Sequence, residues 1–190
     1  MNAASGRLVC CILSLIILSA NPIYAAPPAV GERAPDFQLL NVEGKTVRLS
    51  ELTARGQVVL VVLRGYPGYQ CPYCNRQVQE FIQKAPAFDA AGVHVVMVYP
   101  GPSQDLEKRA KEFLFRKTLP ANFDLLLDPG YDFTNRYGLR WDAPNETAYP
   151  SSFVIDRNGL VLFSKTAKSH GGRVTGQEIL DALAKPKAVR

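Results

Sequence analysis

Cys71 and Cys74 are the residues whose types and spacing best suit chemistry, with only Pro72 and Tyr73 between them. Two thiols at this spacing can close into a disulfide and reopen, moving two electrons each time. They follow the apolar run Gln57–Arg64, rich in Val and Leu, which reads as a buried strand. After them Val78, Phe81 and Ile82 fall at helical spacing. The pair therefore stands where a strand turns into a helix. Pro72 suits the first helical position, which makes Cys71 the N-cap. Its sulfur then faces the free N–H groups of Tyr73 and Cys74 and the positive end of the helix dipole.

Magnitudes test whether that suffices. A thiol of pKa ~8.5 is about 3% ionised at pH 7, and half-ionisation requires ~2 kcal/mol of help. A helix terminus supplies ~0.3–1 kcal/mol. N–H···S bonds or a cation must provide the remainder, and Arg64, at the end of the strand, is the candidate cation. The alternative for Arg64 is a solvent-exposed side chain at a strand end. Cys71 is expected at the solvent and Cys74 one turn inward, placed to attack a mixed disulfide on Cys71. Two other uses remain open. One is a fixed structural disulfide. The other is a metal site of Cys71, Cys74, His94 and His170, which lacks a second closely spaced ligand pair. No metal or cofactor is expected.

The elements that must position the pair can be read along the chain. Residues 1–25 carry one charge, Arg7, and an apolar stretch of 13 residues from Leu8 to Ala20, ending near Ala25. That is the pattern of a secretory signal peptide, and the stretch is short for a membrane span of ~20 residues. Residues 26–32 read as a tether and 33–185 as one domain. Without residues 1–25 the chain would keep only Cys71 and Cys74, and losing Arg7 takes the net charge from +5 to +4. One close pair in an exported protein points to redox use. The modest, dispersed charge gives no reason to expect a nucleic-acid partner.

Asp36–Leu40 and Thr46–Leu49 read as a hairpin around Asn41–Gly44, with a short connector from Ser50. Strands follow at 57–64, 93–99, 123–127, 152–156 and 160–163, the last two joined by Arg157-Asn158-Gly159, a hairpin turn signal. Helices are expected at about 72–91, interrupted by Pro86, at 102–117, at 131–137 and at 175–184. Strands alternating with helices give an α/β fold with a mainly parallel sheet, which the closing hairpin makes mixed.

These pieces resemble the thioredoxin-fold redoxins of the alkyl hydroperoxide reductase/thiol-specific antioxidant group, which shade into membrane-associated and periplasmic thiol–disulfide oxidoreductases. The resemblance runs from about Val30 to Leu183. It rests on Val30-Gly31-Glu32-Arg33-Ala34-Pro35-Asp36-Phe37, on Gly44–Leu52, on the C-x-x-C and on Ser152–Gly159. It implies a thioredoxin-like fold with an N-terminal β-hairpin extension. Two subfamilies divide the residues. Peroxiredoxins carry Pro-x-x-x-Thr-x-x-Cys; Pro67 and Cys74 fit, but Cys71 stands at the threonine. They also place an arginine before the closing strand, where Pro150 falls here. Thioredoxins want C-x-x-C and a cis-proline before that strand, and Tyr149-Pro150 fits. The Pro72-Tyr73 dipeptide is that of glutaredoxins, and hints at a couple less reducing than thioredoxin's ~−270 mV.

The resemblance implies an exported thiol–disulfide oxidoreductase, periplasmic or secreted, or membrane-tethered if the leader is retained. Cys71 attacks, Cys74 resolves, and Pro150 holds the partner's backbone beside Cys71. Tyr69, Gln70, Pro72 and Tyr149 shape the surface that a protein or small-molecule disulfide meets, and a thiol protein donates electrons. A second reading is a thiol peroxidase, with Cys74 oxidised by a hydroperoxide and Cys71 resolving. A third is a thioredoxin-fold copper chaperone using His170. Asn145-Glu146-Thr147 is a glycosylation sequon, meaningful only in a eukaryotic secretory pathway.

Overall fold

A computed structural model describes residues 26–185. The proposed leader, with Cys10 and Cys11, lies outside the described residues. Five strands form one mixed sheet: β3 (Gln57–Val62), β4 (Val93–Gly101), β5 (Phe123–Pro129), β6 (Ser151–Ile155) and β7 (Val161–Thr166), in the order β5-β4-β3-β6-β7. The β3–β4 and β4–β5 ladders are parallel; β3–β6 and β6–β7 are antiparallel. β1 (Gln38–Leu40) and β2 (Thr46–Arg48) pair separately as the expected hairpin.

The central strands are apolar on both faces because both faces are covered. Val59, Val61, Leu63, Val95, Met97 and Tyr99 point to one layer. That layer holds α2 (Pro72–Gln83), α3 (Ala85–Ala90), α4 (Leu106–Phe113) and α6 (Gly176–Ala184). Val58, Leu60, Val62, Val96 and Val98 point to the other. There they meet α1 (Leu49–Arg55), α5 (Asp132–Arg136) and Phe37.

Several boundaries differ from expectation. The expected interruption of the helical stretch 72–91 falls at Lys84, which separates two helices. Pro86 lacks the N–H that an unbroken helix needs, so it sits instead in the first turn of α3. α4 is shorter than 102–117, because Asp105 and Arg116 adopt φ of 58° and 61° and end the helical path on both sides. Leu49 opens a helix rather than ending a strand: the Asp36 carboxylate accepts from the Ser50 N–H and hydroxyl and turns the chain there. The segment read as a tether is docked from Pro28 onward. Pro28 accepts from the Ser164 hydroxyl, Gly31 donates to Val161 and Glu32 accepts from Val161.

The turn that presents the cysteines depends on Gly65. Its φ is +73°, and a Cβ there would lie 1.9 Å from the Pro100 carbonyl oxygen. Both the sign of φ and the clash with backbone argue against any side chain. Gly65→Ala is expected to cost about 2 kcal/mol or more, read as a lower urea midpoint at unchanged slope.

Candidate active site

Strand β3 delivers Leu63 and Arg64, both buried, to the cysteine loop. Cys71 is the N-cap of α2, with φ −75° and ψ 115°, and Pro72 follows at the first helical position. The Cys71 Sγ accepts the Cys74 N–H at 3.4 Å, as the sequence predicts. The expectation that Cys71 meets solvent is not met: it is 1% exposed, and Cys74 is 0% exposed. Cys71 belongs to the apolar cluster on this face of the sheet, with one charged group beside its sulfur. The Arg173 guanidinium, from the loop between β7 and α6, reaches within 3.8 Å of the Cys71 Sγ.

The two thiols are driven apart. The Cys71 pKa falls to about 5. The main cause is the hydrogen bond from the Cys74 thiol; burial opposes it, and the Cys74 N–H, Arg173 and Arg64 add to it. The Cys74 pKa rises well above the ordinary thiol value, first through burial and then through its bond to Cys71. The pair thus shares one proton held on Cys74 and one negative charge held on Cys71. Both cysteines are free thiols.

Arg64 is neither an exposed strand-end residue nor the main counter-cation. Its Nε donates to Glu146 Oε2 at 2.5 Å and its Nη2 to the Asn145 carbonyl. Burial opposes its charge, but the Glu146 carboxylate overcomes this and holds its pKa above the ordinary arginine value. Glu146 also bonds His170 Nε2, through Oε1 at 2.8 Å. Burial would raise the Glu146 pKa, yet Arg64 and His170 hold it below the usual carboxylate range. His170 is therefore committed to Glu146, and packs near Trp141 and Tyr73 with centroids at 5.4 and 6.0 Å. His94 pairs instead with Asp124 at 2.8 Å, on the other side of the sheet's parallel half. The described residues contain no group of three or more His, Cys, Asp or Glu side chains arranged to hold a metal.

The expected partner-facing residues divide. Tyr69 and Tyr73 are exposed, under the Arg64 and Arg76 guanidinium groups at 4.9 and 4.7 Å. Pro72 is exposed between the cysteines. Tyr149 is half-buried and stacks on Trp141, 4.7 Å between ring centres. Gln70 is half-buried, and its amide turns to the fold. Its amide donates to the Arg109 carbonyl at 2.9 Å and accepts from the Tyr99 hydroxyl at 2.8 Å, tying the loop to α4 and β4. Pro150 is buried immediately before β6, whose Ser151 pairs with Val62, so it lies at the cysteine end of the sheet. No cis peptide bond occurs among the described residues, so Tyr149-Pro150 is trans, the ordinary isomer. The Pro150 carbonyl is occupied by the Ala167 N–H.

Sequence reasoning missed Arg173, Glu146 as a carboxylate and Gln77. Arg173 Nη1 donates to Gln77 Oε1 at 3.0 Å, and Gln77 Nε2 donates to the Val174 carbonyl at 3.1 Å. The available signal was Arg173 following Gly171-Gly172, a cation on a loop with backbone freedom.

A cavity of about 440 Å³ between the hairpin and β5 has Asn41, Lys45, His94 and Asp124 in its wall and neither cysteine. The model of the "AhpC/TSA family" matches residues 30–164. The chain belongs to the AhpC/TSA family. This AhpC/TSA chain is 31% identical over 143 residues to "Peroxiredoxin Q, chloroplastic" of Oryza sativa subsp. japonica, covering 75% of the chain and 61% of the rice protein. It therefore spans less than two thirds of that relative. It is 30% identical over 156 residues to "Thiol-disulfide oxidoreductase ResA" of Geobacillus thermodenitrificans, covering 82% and 76%. The crystal structure of Peroxidoxin BcpB from Mycobacterium tuberculosis superposes with a TM-score of 0.63 at 23% identity, covering 82% of this chain and 96% of that one. This AhpC/TSA chain thus shares the thioredoxin-like peroxiredoxin fold of its structural neighbours and carries the β1–β2 hairpin.

Proposed function

We propose that this protein is an exported thiol–disulfide oxidoreductase in which Cys71 attacks and Cys74 resolves. The observation that carries the reading is the opposite displacement of the two thiols. Cys71 is ionised near neutrality and Cys74 keeps its proton. The Cys71 thiolate attacks one sulfur of a substrate disulfide, forms a mixed disulfide and expels the other sulfur as thiolate. Once Cys71 is bonded it no longer accepts from Cys74 as an anion, and one cause of the high Cys74 pKa disappears. Cys74 then gives up its proton and attacks the Cys71 sulfur. The Cys71–Cys74 disulfide forms, and the second substrate sulfur leaves and takes the proton. The protein loses two electrons and the substrate gains them; a donor thiol protein restores the dithiol.

Tyr69, Pro72 and Tyr73 are the exposed side chains that a partner meets beside Cys71, with Tyr149 next to them. Export is supported by the apolar stretch Leu8–Ala20. Among the described residues no helix is long and apolar enough to cross a membrane. The peroxidase reading is kept second because of the relatives named for peroxiredoxin. It requires the buried, proton-retaining Cys74 to meet the peroxide first.

The test uses Cys74→Ser. Mixed with a model peptide disulfide at pH 7, this variant should accumulate a covalent adduct at Cys71, visible by mass spectrometry, where the wild type turns over. In stopped flow, fast oxidation by hydrogen peroxide that survives in Cys71→Ser and vanishes in Cys74→Ser would reverse the assignment.

A further inference from the structure

We propose that Arg173 is a catalytic residue, the cation that both stabilises and covers the attacking sulfur, and that Gln77 is its positioning residue. The assignment rests on Cys71 being the attacking thiolate.

Geometry carries it. Arg173 meets the Cys71 Sγ from outside the helix, at 3.8 Å. Each of its other nitrogens has a partner: Nη1 donates to Gln77 Oε1 at 3.0 Å and Nε to the His170 carbonyl at 2.9 Å. Gln77 uses both ends of its amide on this loop, since its Nε2 holds the Val174 carbonyl. It lies on α2 one turn beyond Cys74, and at 6% exposed it has little contact with water. The helix that carries the thiols thus also carries the clamp for their cation. On the far side, His170 is held by Glu146, which is held by Arg64.

The groups that face Cys71 come from four places. They are Cys74 on α2, Arg64 at the end of β3, Tyr99 on β4 and Arg173 on the β7–α6 loop. Arg64 directs its Nε and Nη2 to Glu146 and the Asn145 carbonyl, so its charge is largely answered there. Tyr99 is held in its neutral form, chiefly by burial. Arg173 has no carboxylate partner among the salt bridges of the described residues, which leaves the sulfur as its anion.

A cover of this kind has a chemical consequence. A disulfide substrate reaches the Cys71 sulfur only when the guanidinium moves off its outer side. The attraction that adds to the hold on the thiolate also closes the route to it. When the sulfur becomes neutral in a mixed or internal disulfide, that attraction ends, and Gln77 and the His170 carbonyl still hold the guanidinium.

The experiment titrates the reduced protein, following thiolate absorbance at 240 nm and the rate of Cys71 alkylation by iodoacetamide from pH 3.5 to 9. Arg173→Gln should raise the Cys71 midpoint by about one pH unit or more, in line with removal of an opposite charge at this range. The alkylation rate on the pH plateau, where Cys71 is fully ionised, should rise several-fold because the cover is gone. Arg173→Lys should return the midpoint to within about half a unit of wild type. Gln77→Leu should move it in the same direction as Arg173→Gln, and less. A plateau that rises with no change of midpoint would make Arg173 a steric cover only and overturn the proposal. Unchanged midpoint and plateau would overturn it entirely. A wild-type midpoint near that of a free thiol would sink the underlying reading of Cys71 instead, so the two failures are distinguishable.

Discussion

Cys71→Ser is expected to reduce exchange with a model disulfide at pH 7 by at least about a hundredfold. The remaining thiol, Cys74, is 0% exposed and its pKa lies well above the ordinary thiol value. A thiol whose pKa exceeds ~9 is less than about 1% thiolate at pH 7, and only the thiolate attacks. Burial takes a further factor by denying approach. In Cys71→Ser the acceptor of the Cys74 hydrogen bond becomes a neutral hydroxyl, so one contribution to the raised pKa weakens but burial remains. Stopped-flow mixing with a chromogenic disulfide checks this. Retention of full turnover would mean that Cys74 is the attacking sulfur.

The second large effect is a dependence of stability and potential on pH. The Cys71 pKa is about 5 in the folded protein and ~8.5 in the unfolded chain. The folded value is the lower one, so the ionised group stabilises the fold. That contribution is complete above the unfolded pKa and is lost as pH falls through about 5. Cys74 adds nothing below pH ~8, because it is protonated in both states there. The linkage amounts to roughly 2–3 kcal/mol at pH 7 and is mostly gone at pH 5. The reduced protein should therefore lose about 2 kcal/mol of stability, relative to reduced Cys71→Ser, between pH 7 and pH 5. Denaturant unfolding of both proteins under reducing conditions reads the difference. The same energy favours the dithiol over the disulfide. At pH 7 it should make the couple about 60 mV less reducing than one with ordinary thiols. A stability difference that is flat across this range would mean that Cys71 is not ionised in the folded protein.

These expectations divide according to how far apart in the chain their causes lie. The N-cap at Cys71, the proline after it and the bond from the Cys74 N–H follow from four consecutive residues, and all were legible. So were the strands, because Gln57–Val62 and Val93–Gly101 are apolar on both faces and need helices on each side. The cover over Cys71 was not legible. Arg173 is 102 residues away, on a loop whose course is set by β7 and α6. Gln70 looked like a surface residue because it is polar and adjacent to Cys71. Its amide turns inward because Arg109 and Tyr99 offer a carbonyl and a hydroxyl from elements that sequence order alone does not bring together. Arg64 could be placed at the end of the strand that feeds the cysteine loop, but its main partner, Glu146, appeared in the sequence only as the middle of a glycosylation sequon.

The N-terminal segment has a consequence beyond the site. Residues 28–34 run beside β7, with backbone bonds to Gly159 and Val161, and Asn41 and Val42 meet β5 at Leu126 and Leu125. β5 and β7 are the two outermost strands of the sheet. A single stretch of fewer than twenty residues thus caps both rims, where unpaired peptide groups would otherwise recruit a strand from another molecule. Truncation to Asn41 or beyond should yield a chain that assembles into fibrils or amorphous aggregates even where its thiols remain intact.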